Sequence, residues 1–215
     1  MKRLVLPRLY VILDQALLTI PETECAQKLA EAGVRLMQYR NKTASARELL
    51  ESAKRLTSVL RSNEVTFIVN DRADVAYLSG ANGVHVGQED LGVEEARAVV
   101  GREKLIGVST HNCEQFQRAI DTSADYIAVG PIYSTSSKVN PDPVVGTELL
   151  REVRPLTDKP IVAIGGITLD CAAEAIKAGA DSVAVISGIL RAPDPGERAR
   201  QFIDLLEAAN HAAAV

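Results

Sequence analysis

Eight short aliphatic runs recur along the whole chain, and few of them alternate cleanly between apolar and polar residues. They are Leu9–Leu13, Val34–Tyr39, Thr66–Val69, Gly83–Val86, Leu105–Val108, Tyr126–Val129, Ile161–Ile164 and Ser182–Ile186. A strand that reads this way is buried on both faces, as the strands of a parallel sheet are. Between the runs lie helical stretches with one apolar face, such as Leu49, Leu50, Ala53, Leu56 and Leu60, or Cys171, Ala172, Ala175 and Ile176. Gly33, Gly101 and Gly179 each stand where a helical stretch gives way to the next run, a place that favours φ > 0. The segments EAGVRLM (31–37) and KAGADSV (177–183) repeat the same succession of helix end, glycine turn and buried strand. Eight strands alternating with helices favour a closed (β/α)8 TIM barrel of the α/β class. An open flavodoxin-like sheet is the runner-up, and eight strands is generous for it. The 215 residues fit one such domain, 1–215, at the lower end of the barrel size range. The alanine-rich tail from Ala208 to Val215 reads as a fraying helix end.

Composition narrows the partners. With no Trp and 4% aromatics, the core must be aliphatic. Lys+Arg 24 against Asp+Glu 28 gives a net charge of −4, and no basic block stands out, so nucleic acid is not an expected partner. The three cysteines, Cys25, Cys113 and Cys171, are widely spaced and form no CxxC. That speaks against disulfides and zinc and for a reducing compartment. The N-terminal apolar stretch is interrupted by Pro7, Arg8 and Asp14, and no run approaches the ~18 residues that span a membrane. The cytoplasm is the expected location, without a membrane partner; a homo-oligomer is compatible with the sequence.

A (β/α)8 barrel carries its active site at the C-terminal ends of its strands. Polar residues cluster at that end of nearly every run: Gln38 to Lys42, Asn70 to Arg72, Gly87 to Asp90, Ser109 to His111, Gly165-Gly166 and Ser187-Gly188. The opposite ends show no such clustering. One connection, 130–146, exceeds the ~12–15 residues beyond which loops tend to be functional or disordered; its three prolines, run of hydroxyls and Lys138 suit a mobile lid over a polar ligand. Two kinds of chemistry separate along the rim. Arg40, Lys42 and Lys138 supply positive charge, while Asp71 and Asp90 supply oxygen ligands on neighbouring strands. Together they suit a diphosphate held by Mg²⁺, which prefers one or two carboxylates completed by phosphate oxygens and water. Gly165-Gly166 and Ile186-Ser187-Gly188 follow strands seven and eight, where this fold commonly binds a phosphate.

Each residue alone has a plainer reading. Asp71 or Asp90 reads as a helix N-cap, Arg40 or Lys42 as a solvated charge, Gly165-Gly166 as a tight turn and His85 as a satisfied structural histidine. Their convergence on one rim is what argues for a site. His111 is ambiguous, since helix starts often carry polar residues for no catalytic reason, and the sequence does not assign a role to Cys113, close to Ser109.

The segments QYRNK (38–42), ND (70–71), GVHVGQED (83–90), GVSTH (107–111), GPIYSTSSK (130–138), AIGGI (163–167) and VIS (185–187) resemble, in this order and spacing, the thiamine-phosphate synthase family. The resemblance runs from Tyr10 to about Leu190. It implies a transferase that joins 4-amino-2-methyl-5-(diphosphooxymethyl)pyrimidine to a thiazole phosphate, with or without a carboxylate, giving thiamine phosphate and diphosphate. Gln38, Tyr39, Arg40, Asn41, Lys42, Asn70, Ser109 and Lys138 would bind the pyrimidine diphosphate, with Arg40, Lys42, Ser109 and Lys138 as the catalytic group. Asp71 and Asp90 would hold Mg²⁺. Thr135, Ser136, Ser137, Gly166, Ile186 and Ser187 would bind the thiazole phosphate. Ser137 stands where the family often has Thr, which keeps the hydroxyl. Tyr39 replaces a more usual aliphatic, and strand alternation turns it away from its neighbours. The implied mechanism has diphosphate leave first and the thiazole nitrogen attack the resulting cation, with no enzyme nucleophile. Two rivals share the barrel: a thiazole tautomerase working through His111, and a non-catalytic phosphate sensor. Neither needs the diphosphate set of Arg40, Lys42, Asp71 and Asp90.

Overall fold

Strand sequences that are apolar on both sides need cover on both sides, and the chain meets this by closing its sheet and wrapping it in helices. The computed structural model describes residues 4–135 and 142–213, with side chains to 209. Eight parallel strands, β1 (Leu9–Asp14), β2 (Leu36–Arg40), β3 (Thr66–Asn70), β4 (Gly83–Val86), β5 (Leu105–Thr110), β6 (Tyr126–Val129), β7 (Ile161–Ile164) and β8 (Ser182–Val185), form a barrel in sequence order, with β8 paired back to β1. Around it run α1 (Glu22–Glu31), α2 (Ala46–Arg61), α3 (Ala73–Ser79), α4 (Val93–Val100), α5 (Cys113–Ile120), α6 (Gly146–Val153), α7 (Leu169–Lys177), the short α8 (Ser187–Leu190) and α9 (Pro195–Ala213). The fold is the expected (β/α)8 barrel. Among the described residues no helix is long and apolar enough to cross a membrane.

Strand alternation divides the core in two. Side chains of one parity face the helices and form the large outer core, for example Val11, Met37, Val69 and Val129. Those of the other parity fill the barrel with Tyr10, Ile12, Leu36, Ile68, Tyr126, Ala128, Val162 and Ala184. Register carries the alternation round the barrel: Ile12 lies beside Gln38, Gln38 beside Ile68, Asn70 beside His85, and Ser109 beside Ala128. The interior is narrow enough to demand glycine. A Cβ at Gly107 would sit 2.0 Å from Cζ of Tyr126, so this glycine makes room for the tyrosine ring.

Helix ends explain the internal repeat. At the end of α1, Gly33 N–H donates to the Ala30 carbonyl (3.1 Å) and Val34 N–H to that of Leu29 (3.0 Å). The same pair closes α7, from Gly179 to Ile176 and from Ala180 to Ala175. This is the Schellman cap, with glycine at φ +101 and +116 respectively. It also corrects the second strand: Val34 and Arg35 belong to the turn, and β2 starts at Leu36. At the other end of a helix, Ser45 and Glu48 form a reciprocal capping box on α2, whose buried face is Leu49, Ala53, Leu56 and Leu60.

Candidate active site

Inward parity and the ends of the strands together define a cavity at the C-terminal mouth of the barrel. Gln38, Arg40, Asn70, Ser109, Thr135, Gly166, Ile186 and Ser187 line it, so most of the residues expected to bind substrates meet in one place. Tyr10, Asp142, His85 and His111 line it as well.

The rim carries the charges. Arg40 is ion-paired with Asp14, a buried carboxylate that also accepts from Ala16 N–H (3.1 Å). Lys42 is ion-paired with Asp71. Asp71 ends β3 in the left-handed region at φ +63, which aspartate tolerates better than most residues, and its N–H donates to the His85 carbonyl (2.7 Å). That kink turns its carboxylate toward Asp90. Burial pushes the Asp71 carboxyl above the usual carboxylate range; Lys42 opposes the shift and Asp90 adds to it. Asp90 accepts from Gly87 N–H (2.7 Å), which fixes the loop after β4. Neither aspartate caps a helix: Arg72 and Gly92 occupy those positions, without side-chain caps. The two carboxylates meet across neighbouring strand ends, and Asp90 also closes the turn after β4. Among the described residues no group of three or more His, Cys, Asp or Glu is placed to hold a metal. Two carboxylates alone suit a cation such as Mg²⁺ that fills its remaining positions with phosphate and water.

Below the rim lies a chain of neutral polar groups. Gln38 Nε2 donates to the Tyr10 hydroxyl (2.7 Å), which shares a hydrogen bond with the Tyr126 hydroxyl (3.0 Å). Tyr126 in turn meets His85 Nδ1 (3.1 Å), and His85 Nε2 meets Ser109 Oγ (2.9 Å). Burial raises the pKa of both tyrosines far above the ordinary value, so both are neutral phenols. His85 is thus satisfied, as its sequence position suggested, and it is also part of the cavity wall. His111 donates from Nδ1 to the Gly130 carbonyl (2.6 Å), with Nε2 3.4 Å from Asp142 Oδ2.

The opposite wall is built from glycine. Gly165 and Gly166 have φ +98 and +65, and a Cβ on either would collide with Pro131 or with the Ser134 carbonyl. The segment after β6 packs directly on them, with Ile132 and Tyr133 N–H donating to the Ile164 and Gly165 carbonyls. The pair is required for close backbone approach whether or not a phosphate binds there.

Two expected residues, Tyr39 and Asn41, lie elsewhere, as does Cys113, whose role the sequence left open. Tyr39 is buried outside the barrel wall, where its hydroxyl donates to Gln15 Oε1 (3.0 Å) and accepts from Asn41 Nδ2 (3.3 Å). Strand parity excludes it from the cavity. Asn41 braces the loop after β2 by accepting from the N–H groups of Thr43 and Ala44. Cys113 faces Glu152 of α6, which raises its thiol pKa, and it does not line the cavity. Ser136, Ser137 and Lys138, with the central part of the 130–146 connection, lie outside the described residues. Sequence reading missed Tyr10, Asp14, Tyr126 and Asp142. For Tyr10, Asp14 and Tyr126 the available signal was polar residues of inward parity in or ending aliphatic runs, notably Asp14 closing β1; Asp142 lies in the connection between β6 and α6.

The fold and rim define a barrel enzyme with a cationic and acidic mouth above a neutral polar floor. The family model described as thiamine monophosphate synthase matches residues 9–189, and the chain belongs to that family. A thiamine-phosphate synthase of Koribacter versatilis is 53% identical over 208 residues, covering 94% of this chain and 96% of the relative. One from Chlorobium phaeovibrioides is 41% identical, covering 94% and 95%. Among solved structures, thiamine phosphate pyrophosphorylase from Pyrococcus furiosus superposes with a TM-score of 0.86 at 34% identity, covering 94% of this chain and 96% of that one.

Proposed function

We propose that this chain joins an aminopyrimidine diphosphate to a thiazole phosphate, giving thiamine phosphate and diphosphate. The observation that carries the reading is the rim: Arg40, Lys42 and the Asp71–Asp90 pair stand together above a cavity floored by Gln38 and Ser109. Family membership supports the same reaction.

In this reading the pyrimidine ring enters the cavity and its diphosphate stays at the mouth. Arg40 and Lys42 hold the phosphate oxygens by charge-assisted hydrogen bonds. Asp71 and Asp90 would hold Mg²⁺, which when bound supplies charge neutralisation to the leaving diphosphate. Gly166, Ile186 and Ser187 line the adjacent corner and suit the thiazole phosphate. The bond from the methylene carbon to the diphosphate oxygen breaks first, and its electron pair leaves with the diphosphate. Electron donation from the aminopyrimidine stabilises the cation that remains. The thiazole nitrogen then supplies the pair that forms the new C–N bond. The protein contributes positioning and charge stabilisation, and no side chain need act as nucleophile. Three free cysteines suit a reducing compartment such as the cytoplasm.

The test is to incubate the chain with both phosphorylated halves and follow thiamine phosphate. Product that depends on Mg²⁺ and is lost in Asp90→Ala is the expected result. A folded chain that binds the thiazole phosphate but only isomerises a thiazole substrate would sink the proposal and favour the tautomerase.

A further inference from the structure

Four groups that line the cavity, Gln38, Tyr10, His85 and Ser109, are joined through the fully buried Tyr126 beneath them into one unbroken hydrogen-bonded line across the barrel, from β2 to β5. Its proton order follows from what each group can give. The Gln38 amide nitrogen is only a donor, so the Tyr10 oxygen accepts from it. Tyr10 has one proton left to donate. Among the described residues its other polar partner is the Tyr126 hydroxyl, and its surroundings are otherwise the apolar interior of the barrel. Tyr126 then receives that proton and passes its own to His85 Nδ1. With Nδ1 an acceptor, a neutral ring carries its hydrogen on Nε2 and donates it to Ser109 Oγ. The opposite order would leave the Tyr10 proton without an acceptor among the described residues, at a buried site where that is costly.

The two ends of the line open on the cavity with opposite polarity. Gln38 has spent one of its two amide hydrogens on Tyr10, and among the described residues its Oε1 makes no hydrogen bond, so it can accept from a ligand in the cavity. Ser109 has accepted from His85, and its hydroxyl hydrogen is available as a donor. We infer that Tyr10, Tyr126 and His85 are positioning residues that fix this polarity, so that the floor selects an amino-substituted over an oxo-substituted pyrimidine. An aminopyrimidine offers N–H to Gln38 Oε1 and a ring-nitrogen lone pair to Ser109. The oxo tautomer offers a carbonyl oxygen and a ring N–H, reversing both contacts. A polar site rejects a mismatched analogue far more strongly than an apolar pocket does, because its own groups are left unpaired. The selectivity rests on the proposed function; the proton order does not.

The test has two arms on the full chain. Long-range ¹⁵N–¹H correlation spectra of the substrate-free protein, which has three histidines, report the tautomer of His85 directly. Neutral imidazole with hydrogen on Nε2 is expected, and hydrogen on Nδ1, or on both nitrogens, would overturn the inference. In the second arm, binding of aminopyrimidine and oxopyrimidine diphosphates is measured without thiazole phosphate. Binding is used because the amino group also assists the chemistry. Tyr126→Phe keeps the ring and removes both central links, and is expected to cut the preference for the amino compound ~10-fold or more. Thiazole phosphate binding is expected to stay unchanged, which a general loss of structure would not allow. Tyr10→Phe carries the same expectation should Tyr126→Phe fail to fold. An unchanged preference in a folded variant overturns the inference. Failure of either diphosphate to bind a chain with the Nε2–H tautomer would overturn the substrate reading and its selectivity, while leaving the proton order intact.

Discussion

Asp71 combines a left-handed backbone, a lysine partner and a second carboxylate in one small volume. Its folded pKa is raised, chiefly by burial, so the folded chain holds the Asp71 proton to higher pH than the unfolded chain does. Folding therefore takes up a proton between the two values. Above the folded pKa, ionised Asp71 subtracts from stability; below the unfolded value of ~3.9 the penalty is absent. Asp71→Asn, which mimics the protonated carboxyl, is expected to raise the Tm of the metal-free chain at pH 7. The gain should vanish as pH falls below the usual carboxylate range. An unchanged Tm at pH 7 in a thermal scan would contradict this. Such a cost is tolerable if the site receives a cation, as proposed above. Asp14 is a buried carboxylate ion-paired with Arg40. Asp14→Ala is expected to cost about 1–3 kcal/mol in urea unfolding. Glu114→Ala, which breaks the exposed pair with Arg118 on α5, should cost at most about 0.5 kcal/mol.

At the scale of elements, the chain announces itself through periodicity and glycine. All eight aliphatic runs became strands, because double burial leaves little choice for short aliphatic segments flanked by helices. Boundaries were the weaker part. Asp14, Arg40, Asn70 and Thr110 extend their strands past the apolar run, since backbone pairing continues where hydrophobicity stops. Tyr39 shows why membership of a motif does not place a side chain in a site: alternation within β2 sends Gln38 and Arg40 inward and Tyr39 outward. The Gly165-Gly166 pair looked like a phosphate loop and is also a packing joint. Gly166→Ala is expected to destabilise the chain by about 1–3 kcal/mol, through strain at φ +65 and collision with the Ser134 carbonyl. Near-native stability in Gly166→Ala, measured by denaturant unfolding, would show that the segment after β6 is not locked to β7 as described.

For the molecule as a whole, barrel closure turns eight separate strand ends into one mouth, and that much could be read in sequence. Arg40, Asp71, Asp90 and Gly166 each follow or end a different strand, and the rule that strand ends form the site was enough to collect them. The floor of the cavity could not be read the same way. Tyr10 and Tyr126 are 116 residues apart, and their contact depends on register, on the closure of β8 against β1, and on the space left by Gly107. No local motif encodes that arrangement. The mouth carries charge and the floor neutral hydrogen-bonding groups; in the proposed reaction the first would serve the leaving group and the second the ring. The most direct test is a ³¹P NMR time course of the chain with both phosphorylated halves and Mg²⁺. The account predicts that one equivalent of inorganic diphosphate appears for each equivalent of thiamine phosphate. Diphosphate ester that persists while the thiazole phosphate is converted, or that is hydrolysed without C–N bond formation, would contradict it.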